Sequence, residues 1–132
     1  VFYNHKWQNL YWNKGLIMEF TIDHKVGDTI SWDVNYTDDL GGVVDITNYE
    51  IKCQARLKDN KEVLLFDLTS VGVAPTIDKY DAVNGNFRIV VDTTGSPVAR
   101  YVVDIQYKLG SLIKSSETFE LNIYEDVTRW SL

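Results

Sequence analysis

Alternation of apolar and polar residues is the sequence feature that most constrains the fold of this chain. The clearest run sets Ile30, Trp32, Val34 and Tyr36 against the intervening Ser31, Asp33 and Asn35. Successive side chains of a strand point to opposite faces of a sheet, so such a run predicts a half-buried strand. The pattern recurs seven times, and the segments between the runs are rich in Gly, Asp and Asn, which favour turns.

The seven predicted strands occupy residues 16–22, 30–36, 49–57, 64–68, 87–91, 101–107 and 119–123. No stretch beyond the first 15 residues has the apolar spacing of an amphipathic helix. The sequence therefore predicts an all-β fold, a single Ig-like antiparallel β-sandwich of about seven strands, with a small barrel as the alternative. Residues 69–86 contain Gly, Pro and Asp and are predicted to connect one sheet to the other.

The 132 residues suit one domain, in which residues 1–15 form an N-terminal extended arm, residues 16–125 the sandwich and residues 126–132 a C-terminal tail. Tyr101 stands at the start of the sixth predicted strand. It is either a corner tyrosine, whose hydroxyl bonds to the backbone upstream, or an ordinary strand tyrosine.

Charge and cysteine content exclude several classes of function. The chain has 13 Lys and Arg against 19 Asp and Glu, a net charge of −6, and its basic residues are scattered, which argues against a nucleic-acid partner. No apolar run is long enough for a bilayer, and polar residues interrupt any signal-peptide core near the start, so we expect a soluble chain without a membrane partner. Cys53, the only cysteine, alternates with polar residues and is predicted to be buried and unreactive.

The residues that most often perform catalysis or bind metals form no recognisable motif. His5 and His24 are predicted to lie in the arm and beside a turn. Calcium could be bound by the carboxylates of Asp38, Asp39 and Asp45, or by those of Asp78 and Asp81. Neither set has the spacing of a calcium loop, so solvated turn carboxylates are the favoured interpretation. We therefore predict no enzyme, no cofactor and no metal site.

Large aromatic residues are concentrated at the two ends of the chain. The candidate partner-binding residues are Phe2, Tyr3, Trp7, Tyr11, Trp12, Arg129 and Trp130. Aromatic side chains and Arg supply much of the binding energy at protein interfaces. The arm either folds back over its own sandwich or packs on a partner, and the second alternative is slightly favoured because the predicted strands already provide a complete inner face.

Five short motifs carry a resemblance to a known family. They are VGDTISW at 26–32, YTD at 36–38, VDITNY at 44–49, RYVVD at 100–104 and VTR at 127–129. These motifs resemble those of small structural proteins of tailed bacteriophages, and they are similar to the N-terminal sandwich domain of upper baseplate proteins. Asn48 and Arg100 replace glycines of the family pattern at turn positions, and residues 1–15 lie outside the resemblance.

The resemblance implies a virion protein that is assembled in the cytoplasm of the host bacterium. Its expected role is that of an adaptor or accessory protein in the baseplate, tail or neck, which contacts other virion proteins and possibly copies of itself. A capsid decoration or head-fibre base protein is one alternative. A carbohydrate-binding sandwich that stacks Trp7, Trp12 and Trp130 on sugar rings is another, and a hydrolytic enzyme has no supporting set of residues.

Overall fold

The computed structural model describes the backbone of residues 8–13 and the whole of residues 21–38, 40–73, 76–116, 118–125 and 127. The strands in this part of the chain are β1 (Gln8–Asn13), β2 (Thr21–Lys25), β3 (Thr29–Thr37), β4 (Glu50–Leu57), β5 (Leu64–Thr69), β6 (Ile77–Asp81), β7 (Asn86–Asp92), β8 (Ala99–Leu109), β9 (Leu112–Ser115) and β10 (Phe119–Tyr124). A short 3-10 helix, Ala82–Asn84, links β6 to β7. The predicted all-β class is confirmed. Within the described residues, no helix has the length and hydropathy needed to cross a membrane.

The strands form two mixed sheets that pack in a sandwich-like arrangement. The four-stranded sheet has the order β1-β3-β7-β6, and the six-stranded sheet has the order β2-β10-β8-β4-β5 with β9 also paired to β8. β1 runs parallel to β3, and β2 runs parallel to β10, whereas the other pairs are antiparallel. The prediction of antiparallel pairing throughout was wrong for these two pairs, because alternation specifies the buried face of a strand and not the direction of its neighbour.

Aromatic rings from facing sheets meet in the core. Trp32 of β3 is fully buried, and its ring centroid lies 5.6 Å from that of Phe119 and 6.4 Å from that of Phe66, both on the six-stranded sheet. Tyr36 of β3 stacks on Tyr107 of β8 at 4.1 Å. Such ring pairs contribute about 0.5–1.5 kcal/mol each beyond the area they bury. They fix the two sheets against each other.

Most inward residues of six predicted strands are buried as expected. All four apolar residues of the clearest run are buried in β3, and the core includes most of the alternating residues of β4, β5, β7, β8 and β10. The prediction was wrong for Leu64, which is 44% exposed, and Tyr49, Leu57 and Val91 are only partly buried. In the first predicted strand, Ile22 is buried. Leu16, Met18 and Phe20 of that strand lie outside the described residues.

Three strands were not predicted. β6 lies inside the predicted connection 69–86, and its pairing with β7 shifts register between Asp78 and Asp81, which leaves Ile77 as its one buried residue. All four residues of β9 are exposed. β1 lies within the predicted arm and is bonded in register with β3. β6 and β9 together bury one side chain and are held mainly by backbone pairing at sheet margins, so they give little alternation for a sequence pattern to detect.

The end of the sandwich at which β2 turns into β3 is closed by two side-chain hydroxyls. The Tyr101 hydroxyl donates to the carbonyl of Pro97 at 2.7 Å, so the corner alternative is the one observed. The buried Thr93 hydroxyl accepts from the Gly27 N–H at 3.0 Å and donates to the Asp28 carbonyl at 2.5 Å. The Tyr101 bond holds the β7–β8 connection to the start of β8. The Thr93 bonds hold the same connection to the turn between β2 and β3.

Candidate functional site

The residues predicted to bind a partner lie mostly beyond the described part of the chain. Phe2, Tyr3, Trp7, Arg129 and Trp130 are all outside it. Tyr11 and Trp12 belong to β1, where their backbones are in register with Asn35 and Tyr36 of β3, and their side chains are not described. Their role in partner binding stays a prediction.

The acidic residues considered as calcium ligands organise turns. One carboxylate oxygen of Asp38 accepts hydrogen bonds from the backbone N–H groups of Leu40 at 2.9 Å and Gly42 at 2.7 Å. The Asp45 carboxylate accepts from the hydroxyl and the backbone N–H of Thr47, and these two bonds lower the pKa of Asp45. Each carboxylate therefore holds its own loop in shape.

In the second acidic set, Asp78 and Asp81, the Asp81 carboxylate also organises a turn. The Asp81 carboxylate accepts from the side-chain amides of Asn84 and Asn86, each at 3.0 Å, and so fixes the 3-10 helix. Asp78 lies at the register shift of β6, and Asp39 lies outside the described residues. Across the described part of the chain, no three His, Cys, Asp or Glu side chains are grouped so as to hold a metal ion.

His24 and Cys53 both have structural roles. The His24 Nε2 atom lies 2.8 Å from the Asp28 carbonyl oxygen and 3.3 Å from the Thr93 hydroxyl, so the ring braces the turn after β2. Cys53 is fully buried, as predicted, and burial raises the pKa of its thiol. His5 is outside the described residues.

Four connections are gathered at the other end of the sandwich. We define the loop end as residues 38–49, 70–73, 82–85 and 109–113. The Ile46 N–H donates to the Ala82 carbonyl, and the Tyr36 N–H donates to the Gly85 carbonyl, both at 2.9 Å. The rings of Tyr36 and Tyr107 stack on each other, so the last residues of β3 and β8 lie at this same end. Backbone and core contacts therefore join connections that are far apart in sequence.

Lys79 fixes the longest of these connections. Its ammonium group donates to the carbonyls of Ile46 at 3.3 Å, Thr47 at 3.0 Å and Tyr49 at 2.9 Å. Bonds from a charged donor are stronger than those between neutral groups. The β3–β4 connection is thus tied to β6 by one side chain, and the loop end is a preformed surface.

The loop end carries a majority of the exposed large apolar side chains. Fifteen such side chains are exposed among the described residues. Eight lie at the loop end: Leu40, Val43, Val71, Val73, Val83, Leu109, Leu112 and Ile113. Val71 and Val73 belong here because the Ser70 N–H donates to the Ile51 carbonyl at the start of β4. A concentration of exposed apolar residues is typical of a protein-binding surface, because docking removes them from water.

Sequence reasoning did not identify this surface. Apart from the adjacent Leu112 and Ile113, its apolar residues stand singly in turn-rich segments and follow no period, so their spacing predicts connections. The one available signal was a large apolar residue between turn formers, such as Leu40 before Gly41. Leu40 is 96% exposed, which turn chemistry does not require.

A second surface lies on the outer face of the six-stranded sheet. We define the polar groove as a depression of about 340 Å³ lined by Lys52, Gln54, Arg56, Lys61, Val102, Val103, Asp104, Gln106 and Thr118. Its floor is formed by β4 and β8, where Lys52 is in register with Gln106, and Gln54 with Asp104. A further depression of about 520 Å³ adjoins it on the side of the loop end.

The charged groups of the polar groove are held in place. The Arg56 guanidinium donates to the Gln54 side-chain oxygen from Nε at 3.3 Å and from Nη2 at 3.0 Å, and to the Lys61 carbonyl from Nη1 at 3.0 Å. Burial raises the pKa of Asp104, and the nearby charge of Arg56 opposes that shift. The groove therefore combines an oriented cation with a partly desolvated carboxylate.

No protein-family model and no curated protein matches the chain.

Proposed function

We propose that this chain is a non-catalytic structural component of a tailed-phage virion, an adaptor or accessory protein of the baseplate, tail or neck. It acts by protein–protein contact, and it is assembled into the particle in the bacterial cytoplasm. The single observation that carries the binding role is the concentration of exposed apolar side chains at the loop end. The resemblance of the five motifs to phage structural proteins supplies the place of action.

The positions of the motif residues support a structural reading of the resemblance. Trp32 is fully buried, the Tyr101 hydroxyl closes a corner, and the Gly27 N–H bonds to Thr93. These roles concern the frame of the protein. In such a family the shared residues stabilise the β-sandwich, and the surface residues can differ with the binding partner. This is consistent with an adaptor.

The strand order supports an immunoglobulin-like arrangement. In the lettering of that fold, β3-β7-β6 corresponds to B-E-D, and β4-β8-β10 corresponds to C-F-G. The connections of the loop end then take the positions of the B–C and F–G loops, which immunoglobulin domains use for binding. A sandwich that presents loops from one rigid end is suited to hold a neighbouring subunit.

Particle incorporation tests this function. We expect peptides of the chain in purified particles of the phage that encodes it, at a fixed ratio to the other structural proteins. A doubly substituted protein, Leu40→Asp with Leu112→Asp, is then supplied to a phage that lacks the gene. Its incorporation should fall at least about tenfold, because each substitution removes an apolar contact and buries a charge.

The matched control places the same charges at the opposite end. Val63→Asp with Val98→Asp changes two valines that are 46% and 51% exposed in the β4–β5 and β7–β8 connections. This control should enter particles normally. Absence of the wild-type chain from particles would refute the virion role, and equal incorporation of the two double variants would refute docking through the loop end.

The N-terminal arm offers a second anchor, which the aromatic residues before β1 motivate. Deletion of residues 1–15 should leave a folded domain that no longer joins the particle. Because β1 pairs with β3, the shortened protein is first compared with the full chain by circular dichroism. Normal incorporation of a folded, shortened protein would remove the arm from the proposal.

A further inference from the structure

The polar groove has a chemistry different from that of the loop end. Its floor strands β4 and β8 are both interior to the six-stranded sheet, so their backbone groups are already paired. A polypeptide therefore has no free strand edge to extend at the floor of the groove. Among its lining residues, Val102 and Val103 are the apolar ones, and Val103 is buried beneath the floor. Recognition in this groove has to come from polar side chains.

The groove is locally positive on an acidic protein. Lys52, Arg56 and Lys61 line it against the single carboxylate of Asp104, a local charge of three minus one, or +2. The whole chain carries −6. Like-signed residues gathered in a depression attract an opposite charge more strongly than the same residues dispersed over a surface. The charges that line the groove therefore favour an anionic group.

Hydrogen-bond donors are available for such a group. Arg56 uses three of its five N–H groups on Gln54 and on the Lys61 carbonyl, which leaves two in a fixed orientation. The ammonium groups of Lys52 and Lys61 make no hydrogen bond or ion pair with any described residue. A guanidinium held in this way loses little entropy when it binds a carboxylate.

Asp104 restricts the kind of anion that fits. Its ionised carboxylate can only accept hydrogen bonds, and it receives none from the described residues. In a simple anion such as hydrogen phosphate, the hydroxyl donor and the negative charge are on the same small group, so a bond to Asp104 brings two negative charges together and is opposed by their repulsion. A ligand that carries hydroxyl groups as well as a negative charge satisfies both Asp104 and the cations.

We propose that the polar groove binds an acidic saccharide. The negative charge of the sugar is attracted by Lys52, Arg56 and Lys61, and ring hydroxyls donate to Asp104. The Gln106 amide, which lies beside Asp104 on the same face of β8, both donates to and accepts from the hydroxyls. The volume of about 340 Å³ is within the usual range of small-ligand sites. This site uses none of the tryptophans considered for sugar stacking from the sequence.

Calorimetric titration with paired probes tests the proposal on the full chain. The acidic probes are trigalacturonate and sialyllactose, their neutral counterparts are galactotriose and lactose, and inorganic phosphate is the simple anion. We expect at least one acidic saccharide to bind about tenfold more tightly than its neutral counterpart and than phosphate, since one well-placed charged contact is worth about that factor.

Two substitutions locate the site. Lys52→Gln should weaken binding of the acidic saccharide about tenfold, whereas Lys108→Gln removes the same charge two positions beyond Gln106 on β8 and should change it little. For Asp104→Ala, the direction of the change in affinity for the acidic saccharide distinguishes two explanations. General electrostatics predicts that loss of a negative charge strengthens binding of an anion, but the proposed hydroxyl contacts predict that it weakens binding several-fold.

Each other result overturns the proposal. If neither acidic probe binds, or the neutral counterparts bind equally well, the groove is not a site for acidic saccharides. Equal effects of Lys52→Gln and Lys108→Gln would place binding elsewhere. Stronger binding by Asp104→Ala, or tighter binding of phosphate than of the saccharides, would show a general anion site. The virion proposal is tested by particle incorporation and is decided independently.

Discussion

The close packing of Gly85 gives a quantitative test of how the loop end is fixed. Gly85 follows the 3-10 helix with φ of +76°, and a Cβ atom at this position would lie 2.7 Å from the Tyr36 carbonyl oxygen and 2.8 Å from that of Val44. The backbone around these oxygens is held in place, because the Val44 N–H bonds to the Tyr36 carbonyl, and the Tyr36 N–H bonds to the Gly85 carbonyl. Gly85→Ala must therefore displace backbone.

The expected cost has two separable parts. An Ala in the left-handed region costs about 1–2 kcal/mol, of which about 0.4–1 kcal/mol is offset by the lower entropy of the unfolded chain. Displacement of tightly packed neighbours adds about 1–3 kcal/mol. Gly95 provides the matched control, because its φ is +78° and an added Cβ would meet nothing within 4 Å. We expect Gly85→Ala to lose about 2–4 kcal/mol of unfolding free energy and Gly95→Ala about 1 kcal/mol.

Urea unfolding followed by far-ultraviolet circular dichroism measures both variants. The free energies of unfolding are compared at equal m-values, so that a change in midpoint reports stability. Equal losses in the two variants would refute the argument, because they would show that backbone conformation alone, and not the approach of the two carbonyls, makes glycine necessary at position 85.

Three further predictions concern buried polar groups. Thr93→Val should lose about 1–3 kcal/mol of unfolding free energy, because the Gly27 N–H loses its partner and the Asp28 carbonyl keeps only its contact with His24, whereas Thr93→Ser should lose less than half as much; equal losses would contradict this. The Tyr107 hydroxyl is buried without a hydrogen-bond partner among the described residues, so Tyr107→Phe should keep or raise the urea midpoint, and a loss above about 1 kcal/mol would show a hidden bond. Cys53 should react with a thiol reagent only in denaturant, because burial raises its pKa and blocks access; labelling of the folded protein would disprove its burial.

The sequence predicts the strands that bury one complete face. In β3, each inward residue loses contact with water and each outward residue keeps it, so the energetic requirement appears directly as alternation. The same reasoning gives the burial of Cys53 in β4, which is a small apolar position between Lys52 and Gln54. Where burial determines the residue type, a single sequence is sufficient to predict the strand and its buried face.

Strands at the margins of the sheets escape this reasoning. β9 is formed because it continues the hairpin of β8, although none of its side chains is buried. Backbone hydrogen bonds are independent of side-chain identity, so the extra strand leaves no clear mark in the sequence.

The candidate surfaces were harder to predict than the core, because each depends on residues distant in sequence. The polar groove needs Lys52 of β4 and Asp104 of β8 on neighbouring strands, and the register that joins them is a property of the fold. The loop end needs the connections that contain Leu40 and Leu112 to lie at the same end of the sandwich, which depends on strand order and direction. Sequence patterns identify outward residues, but they do not say which outward residues become neighbours.

The rigidity of the frame bears on how a partner could bind at the loop end. Association is weakened by each segment that has to become ordered, at about 0.5–1.5 kcal/mol for a flexible side chain and more for a loop. Here the β3–β4 connection is already held by the Lys79 ammonium and by the bond from Ile46 to Ala82, and the Tyr36–Tyr107 stack supports it from below. The free energy gained on binding by burial of side chains such as Leu40 is then offset only slightly by the entropy cost of ordering the loop. A modest apolar surface on this preformed end would therefore suffice for the partner binding that we propose.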